Sequence, residues 1–123
     1  MLAANKLIGF LTTRDYERSR KFYEEVLGFK FVSKDQFALV METEGNMIRI
    51  VEIKEASPAP YTVLGWEVQK IEEIAAWLKE RGVVFEKYPW MQQELWTAPG
   101  GDKVAWFKDP DGNVLSISQH VGR

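Results

Sequence analysis

The chain has 123 residues, 46% hydrophobic and 28% charged, with a formal net charge of −2 and no cysteine. That length suits one domain burying roughly two-thirds of its unfolded surface, in a composition ordinary for a soluble globular protein. The near-neutral charge leaves no electrostatic footprint for nucleic acid or an anionic membrane, and the missing cysteines exclude disulfides, thiolate nucleophiles and zinc–thiolate centres.

The first apolar run, Leu7 to Leu11, is too short for a signal-peptide core or a membrane span, so a cytoplasmic protein is expected. Residues 7–13, LIGFLTT, alternate weakly and precede Asp15, a helix N-cap. DYERSRKFYEEVLG then places Phe22, Tyr23, Val26 and Leu27 on one helical face and stops at Gly28. Three strand-like runs follow, FKFVS, QFALVME and NMIRIVEI. The polar, proline-bearing stretch over 54–60 reads as a linker.

Beyond it the grammar repeats. YTVLGWEV is a strand, KIEEIAAWLKERG a helix with Ile71, Ile74, Ala75 and Leu78 inward, and VVFEK, KVAWFK and NVLSISQ are strands. An insertion over 88–102, YPWMQQELWTAPGGD, carries two tryptophans. The final strands of the halves, EGNMIRIVE and DGNVLSISQ, are near copies that differ most at Arg49 against Ser116. The chain therefore reads as a single α+β domain, 1–123, made of two βαβββ units over about 5–54 and 61–120. One such unit cannot bury both its helix face and its sheet, so the two are expected to pack into an open, barrel-like cup.

Strand parity assigns the faces. Ile48, Ile50, Leu115 and Ile117 should meet the helices, while Met47, Arg49, Val51, Val114, Ser116 and Ser118 line a mixed, partly wet surface where a ligand would sit. Phe10 shares that side with Ile8. Trp66 and Trp77 read as packing residues. Trp106 and Phe107 point to opposite faces, and parity alone does not say which points inward.

The stretch from Asp15 through KFYEEVLGF, together with KDPDGNVLSI at 108–117, resembles the vicinal oxygen chelate superfamily of glyoxalase I, bleomycin-resistance proteins and extradiol dioxygenases. The resemblance spans almost the whole chain and implies the fold above and a homodimer. In metal-binding members each unit supplies a His or Gln from its first strand and a Glu from its last. The matching positions here are Ile8, Arg49, Val63 and Ser116, so the resemblance implies a branch without the family metal, and no cofactor is expected.

Other chemistry is sparse. A displaced metal site could be assembled from Glu52, Glu67 and His120, which otherwise read as strand-end charges and a surface histidine. Glu67 is the candidate general base, or else a solvated or arginine-paired charge. PGGDK lacks the spacing of a phosphate loop, and one histidine near the tail gives no persuasive Ser/His/Asp order. Arg49 offers a planar fork to a carboxylate or phosphate, or it pairs with an internal acid such as Glu67. Trp90 and Trp96 cover a pocket or form a dimer interface.

The expected function is metal-free binding of a small organic, anionic molecule by Arg49, Phe10, Ser116, Trp90, Trp96 and Trp106. The alternative is an enzyme of the same superfamily, a lyase, isomerase or dioxygenase, using a displaced metal or Glu67 with Arg49. A ligand-less interaction module anchored by Trp90 and Trp96 is the third reading.

Overall fold

The computed structural model describes residues 1–122, in two compact units, one ending at Pro58 and the next starting at Ala59. In the first, β1 (Ile8–Thr13) leads into α1 (Tyr16–Lys21), whose N-cap Asp15 accepts the Arg18 amide at 3.2 Å. The expected regular helix to Leu27 is corrected: a π turn takes over at Phe22–Val26. The wider turn carries Tyr23 into full burial, with its ring 5.4 Å from that of Phe29, a contact that apolar periodicity does not encode. Gly28, at φ +83°, ends the segment in a conformation that a side chain would strain.

Strands β2 (Lys30–Lys34), β3 (Leu39–Thr43) and β4 (Asn46–Glu52) complete a mixed sheet of order β1-β4-β3-β2, with β1 and β4 parallel. QFALVME starts its strand late because Asp35 Oδ1 accepts the Phe37 and Ala38 amides at 2.8 and 3.0 Å, holding a turn there. Glu44 and Gly45, both at positive φ, make the tight β3–β4 hairpin. Leu11, Leu39, Met41, Ile48 and Ile50 are buried, so the aliphatic face lies where parity put it.

The second unit repeats this plan with β5 (Thr62–Glu67), α2 (Ile71–Glu80), β6 (Trp96–Thr97), β7 (Lys103–Lys108) and β8 (Val114–Gln119), in the order β5-β8-β7-β6. VVFEK is not a strand. Only Phe85 bridges to Phe107, the register that Phe31 holds against Met41 in the first unit. Glu86 donates its amide to Trp106 O at 2.8 Å, and then Pro89, which has no N–H for a ladder, lies in the loop that leaves the edge. The chain returns only at Trp96, so the expected insertion contains the edge strand.

Trp77 also departs from expectation. It lies off the Ile71–Ile74–Leu78 stripe, is 38% exposed, and carries the Arg81 guanidinium 3.8 Å above its ring. Trp66 packs as expected, stacked on Phe107 at 6.3 Å.

The duplicated strand ends do equivalent work. Glu52 Oε2 accepts the amide of Tyr16, the first residue of α1, at 3.3 Å, and Gln119 Oε1 accepts that of Ile71, the first of α2, at 2.9 Å. Each last strand thus caps the helix of its own unit. The DPDGN motif is scaffold as well: Asp109 Oδ1 accepts the amides of Asp111 and Asn113, both at 2.9 Å, and Oδ2 accepts Asn113 Nδ2 at 2.8 Å.

Candidate functional site

In the first unit Arg49 stands in the middle of the sheet, with Phe10 of β1 and Val40 of β3 as its register partners. Phe10 is 64% exposed and Val40 is buried, so the guanidinium stem crosses a wall of hydrocarbon with an open aromatic ring on one side. Arg49 is half-buried rather than buried, which removes the expected need for an internal acid. Among the described residues its side chain has no ion pair or hydrogen bond. Its charge is felt at Asp35: the Phe37 and Ala38 amides hold that carboxyl below the ordinary aspartate value, and Arg49 adds a smaller pull in the same direction.

In the second unit the equivalent position, Ser116, is flanked by Gly65 of β5 and Trp106 of β7. A Cβ on Gly65 would stand 2.9 Å from Ser116 Oγ, so the glycine is what lets the two strands carry that hydroxyl. Phe107 is the buried member of its pair, leaving Trp106 on the Ser116 face. Trp90 of the preceding loop and Trp96 of β6 pack onto it, 5.8 and 6.0 Å from Trp106 and 5.3 Å from each other. Tyr88, which sequence reasoning missed, joins at 5.9 Å from Trp106 and stacks on Trp90 at 6.1 Å. Trp90 remains 58% exposed, and a cleft of about 300 Å³ runs between Trp90, Gln92, Leu95 and Trp96.

The four positions where metal-binding relatives carry ligands do not fit a metal. Ile8 and Val63 have no lone pair to offer, Arg49 is a cation, and Ser116 is one neutral hydroxyl. No group of three or more His, Cys, Asp or Glu side chains that could hold a metal ion occurs among the described residues. The displaced set is not gathered either. Glu52 is spent on its helix cap and on Lys54 at 3.5 Å, and Glu67 is an exposed residue in register with Ser118.

His120 is not a bare surface residue: its ring lies between Ser118 and Asp102. Residues 118 and 120 share the two-residue strand period, a signal present in the sequence. Nothing local pointed to Asp102. No helix among the described residues is long and apolar enough to cross a membrane.

Two four-stranded mixed sheets, each with one strand parallel to its neighbour and a helix after the first strand, define an α+β fold of paired βαβββ units. The sequence model of the Glyoxalase/Bleomycin resistance protein/Dioxygenase superfamily matches residues 6–117, and the chain belongs to that superfamily.

It is similar to a virulence protein of Salmonella typhimurium, 28% identical over 119 residues that cover 90% of this chain and 81% of that protein. Among solved structures it resembles a superfamily member from Sphaerobacter thermophilus, with TM-score 0.77 and 24% identity over 98% of this chain and 100% of that one. It also resembles a lactoylglutathione lyase from Agrobacterium tumefaciens, with TM-score 0.72 and 17% identity over 98% of both chains. At these identities the structures establish the fold alone.

Proposed function

We propose that the chain binds a small organic anion without the metal used by metal-binding members of its superfamily, with Arg49 as the anion-recognising residue. One observation carries this reading. Where the resemblance places a metal-ligating carboxylate, this chain places a cation, half-buried on an open sheet face beside the exposed ring of Phe10. A guanidinium presents two parallel N–H donors that match a carboxylate or phosphate, and the neighbouring ring suits a flat apolar body on the same molecule. Within the second unit, Ser116 beside Trp106, with Trp90 and Trp96 packed on that ring, offers a ligand a hydroxyl next to aromatic surface.

A charge-assisted hydrogen bond of this kind contributes about 1.5–3 kcal/mol, roughly ten- to a hundredfold in affinity. The test is a thermal-shift screen of aromatic carboxylates, phosphate esters and their neutral analogues against the native protein and Arg49→Met. Acidic compounds should stabilise the native protein and lose that effect in the variant. Hits that are neutral or cationic, or that bind both proteins alike, would overturn the reading.

A further inference from the structure

Three side chains of the second unit that the binding reading leaves unused form a hydrogen-bonded line. Ser118 Oγ lies 2.9 Å from Nε2 of His120, and Nδ1 of the same ring lies 3.0 Å from Asp102 Oδ2. The other oxygen of Asp102 accepts the Val121 amide at 2.9 Å, which fixes the carboxylate in place. A carboxylate accepts but does not donate, so the network assigns the imidazole proton to Nδ1. Nε2 then keeps its lone pair for the serine hydroxyl. Hydroxyl, imidazole and carboxylate in this order are the parts by which a serine is made nucleophilic, and they are recognised by geometry rather than by sequence order.

The line is reachable. His120 and Asp102 keep 32% and 37% of their side-chain surface, and Ser118 is half-buried. On β8 the serine is two residues from Ser116, on the strand face where Gly65 adds no side chain and Trp106 supplies an aromatic edge. Glu67 and Val104 are its own register partners.

We propose that Ser118, His120 and Asp102 form a nucleophilic relay that accepts an acyl group from an activated ester. Ser118 Oγ attacks the carbonyl carbon and its proton passes to His120 Nε2 as the new C–O bond forms. The ester C–O bond then breaks, and Nε2 returns the proton to the departing oxygen. Water, deprotonated by the same nitrogen, repeats the attack, releasing a carboxylic acid and restoring the serine. Asp102 orients the ring and balances its transient positive charge. This inference stands apart from the Arg49 reading and does not depend on it.

A relay that served only to fasten the Asp102 turn to the end of β8 would leave Ser118 as inert as Ser116. The experiment therefore reads reactivity. The intact protein is treated with a fluorophosphonate probe, and adducts are located by peptide mass spectrometry over time. The adduct is expected on Ser118, at least tenfold faster than on any other serine. His120→Gln should slow it by about a hundredfold, within the range of roughly 10²–10⁴ typical of general-base assistance, and Asp102→Asn should slow it less.

Circular dichroism checks that each variant is folded. Should either fail, Ser118→Ala, which keeps the His120–Asp102 pair, must abolish the adduct and the initial burst of p-nitrophenol from p-nitrophenyl acetate. No adduct at Ser118, a rate unchanged in folded His120→Gln, or a burst surviving Ser118→Ala would each overturn the proposal.

Discussion

Gly65→Ala is the sharpest structural perturbation available on the second unit's open sheet face. The new methyl would lie 2.9 Å from Ser116 Oγ, 3.4 Å from Ser116 O and 3.9 Å from Thr62 Cγ2. Heavy atoms in contact are most favourable at about 3.5–4.0 Å, so only the hydroxyl is badly placed, and it must turn to another rotamer or push the strands apart. Overpacking of this size costs about 1–3 kcal/mol. Against it, alanine restricts the unfolded chain and returns about 0.4–1 kcal/mol.

The net expectation is a loss of about 0.5–2 kcal/mol, read by urea unfolding with linear extrapolation. In a Ser116→Ala background the obstructing oxygen is gone. There Gly65→Ala should become neutral or slightly stabilising, a coupling of about 1–2 kcal/mol between the two positions. Equal effects in both backgrounds, within about 0.3 kcal/mol, would refute the claim that Ser116 is what requires glycine at 65.

Asp35 should titrate below an ordinary aspartate in NMR experiments, because the Phe37 and Ala38 amides favour its ionised form. A carboxyl lowered in the folded state contributes stability above its unfolded midpoint that is lost as pH falls through the lower folded one. Arg49→Met should move the Asp35 midpoint slightly upward without restoring it. Trp106 meets three other rings and Trp90 is mostly exposed, so Trp106→Ala should cost about 2–4 kcal/mol and Trp90→Ala under about 1.5, both by urea unfolding. Equal costs would mean that the cluster does not hang on the sheet tryptophan. We also propose a two-fold homodimer, so sedimentation should report about twice the 14.2 kDa chain mass; a species at the chain mass at micromolar concentration would refute it.

What could be read in advance follows from how far each signal reaches along the chain. KVAWFK became β7 residue for residue, and NMIRIVEI and NVLSISQ became β4 and β8 to within a residue at the ends, because a two-residue period after a Gly turn is local information. The π turn was hidden because Phe22 and Tyr23 satisfy a regular helical pattern equally well. The widened turn coincides with a contact between Tyr23 and Phe29 that the helical pattern does not encode. VVFEK misled for a related reason: its apolar content is real, and Phe85 is buried against Phe107, yet its edge pairing is interrupted by the loop that follows.

The candidate site divides the same way. The side on which Arg49, Phe10 and Ser116 lie followed from parity, whereas the joining of Asp102 to His120 depends on where a loop lands, 18 residues away along the chain. The role of Glu52 was legible only in hindsight, through its equivalence with Gln119 as a helix cap.

The duplicated unit also separates what the fold needs from what it leaves free. In both halves the last strand buries an alternating aliphatic pair, Ile48 and Ile50 or Leu115 and Ile117, with Val114 buried besides in the second, and ends on a side chain that caps the helix. Those positions changed little between the halves because each serves its own unit's core or backbone. The row across the open face changed completely. It reads Phe10, Arg49, Val40 in one unit and Gly65, Ser116, Trp106 in the other, in the same register. The large ring moves from the parallel neighbour to the antiparallel one, and the residue between them changes from a long cation to a short hydroxyl.

Neither substitution is demanded by the sheet, which accepts both rows on the same ladder. A long side chain beside an exposed ring leaves a fork free to meet an anion, while a glycine beside a serine opens a floor at the height of the backbone. The motifs that identify the superfamily are scaffold in this chain, whereas the rows centred on Arg49 and Ser116 are where its two halves differ in chemistry.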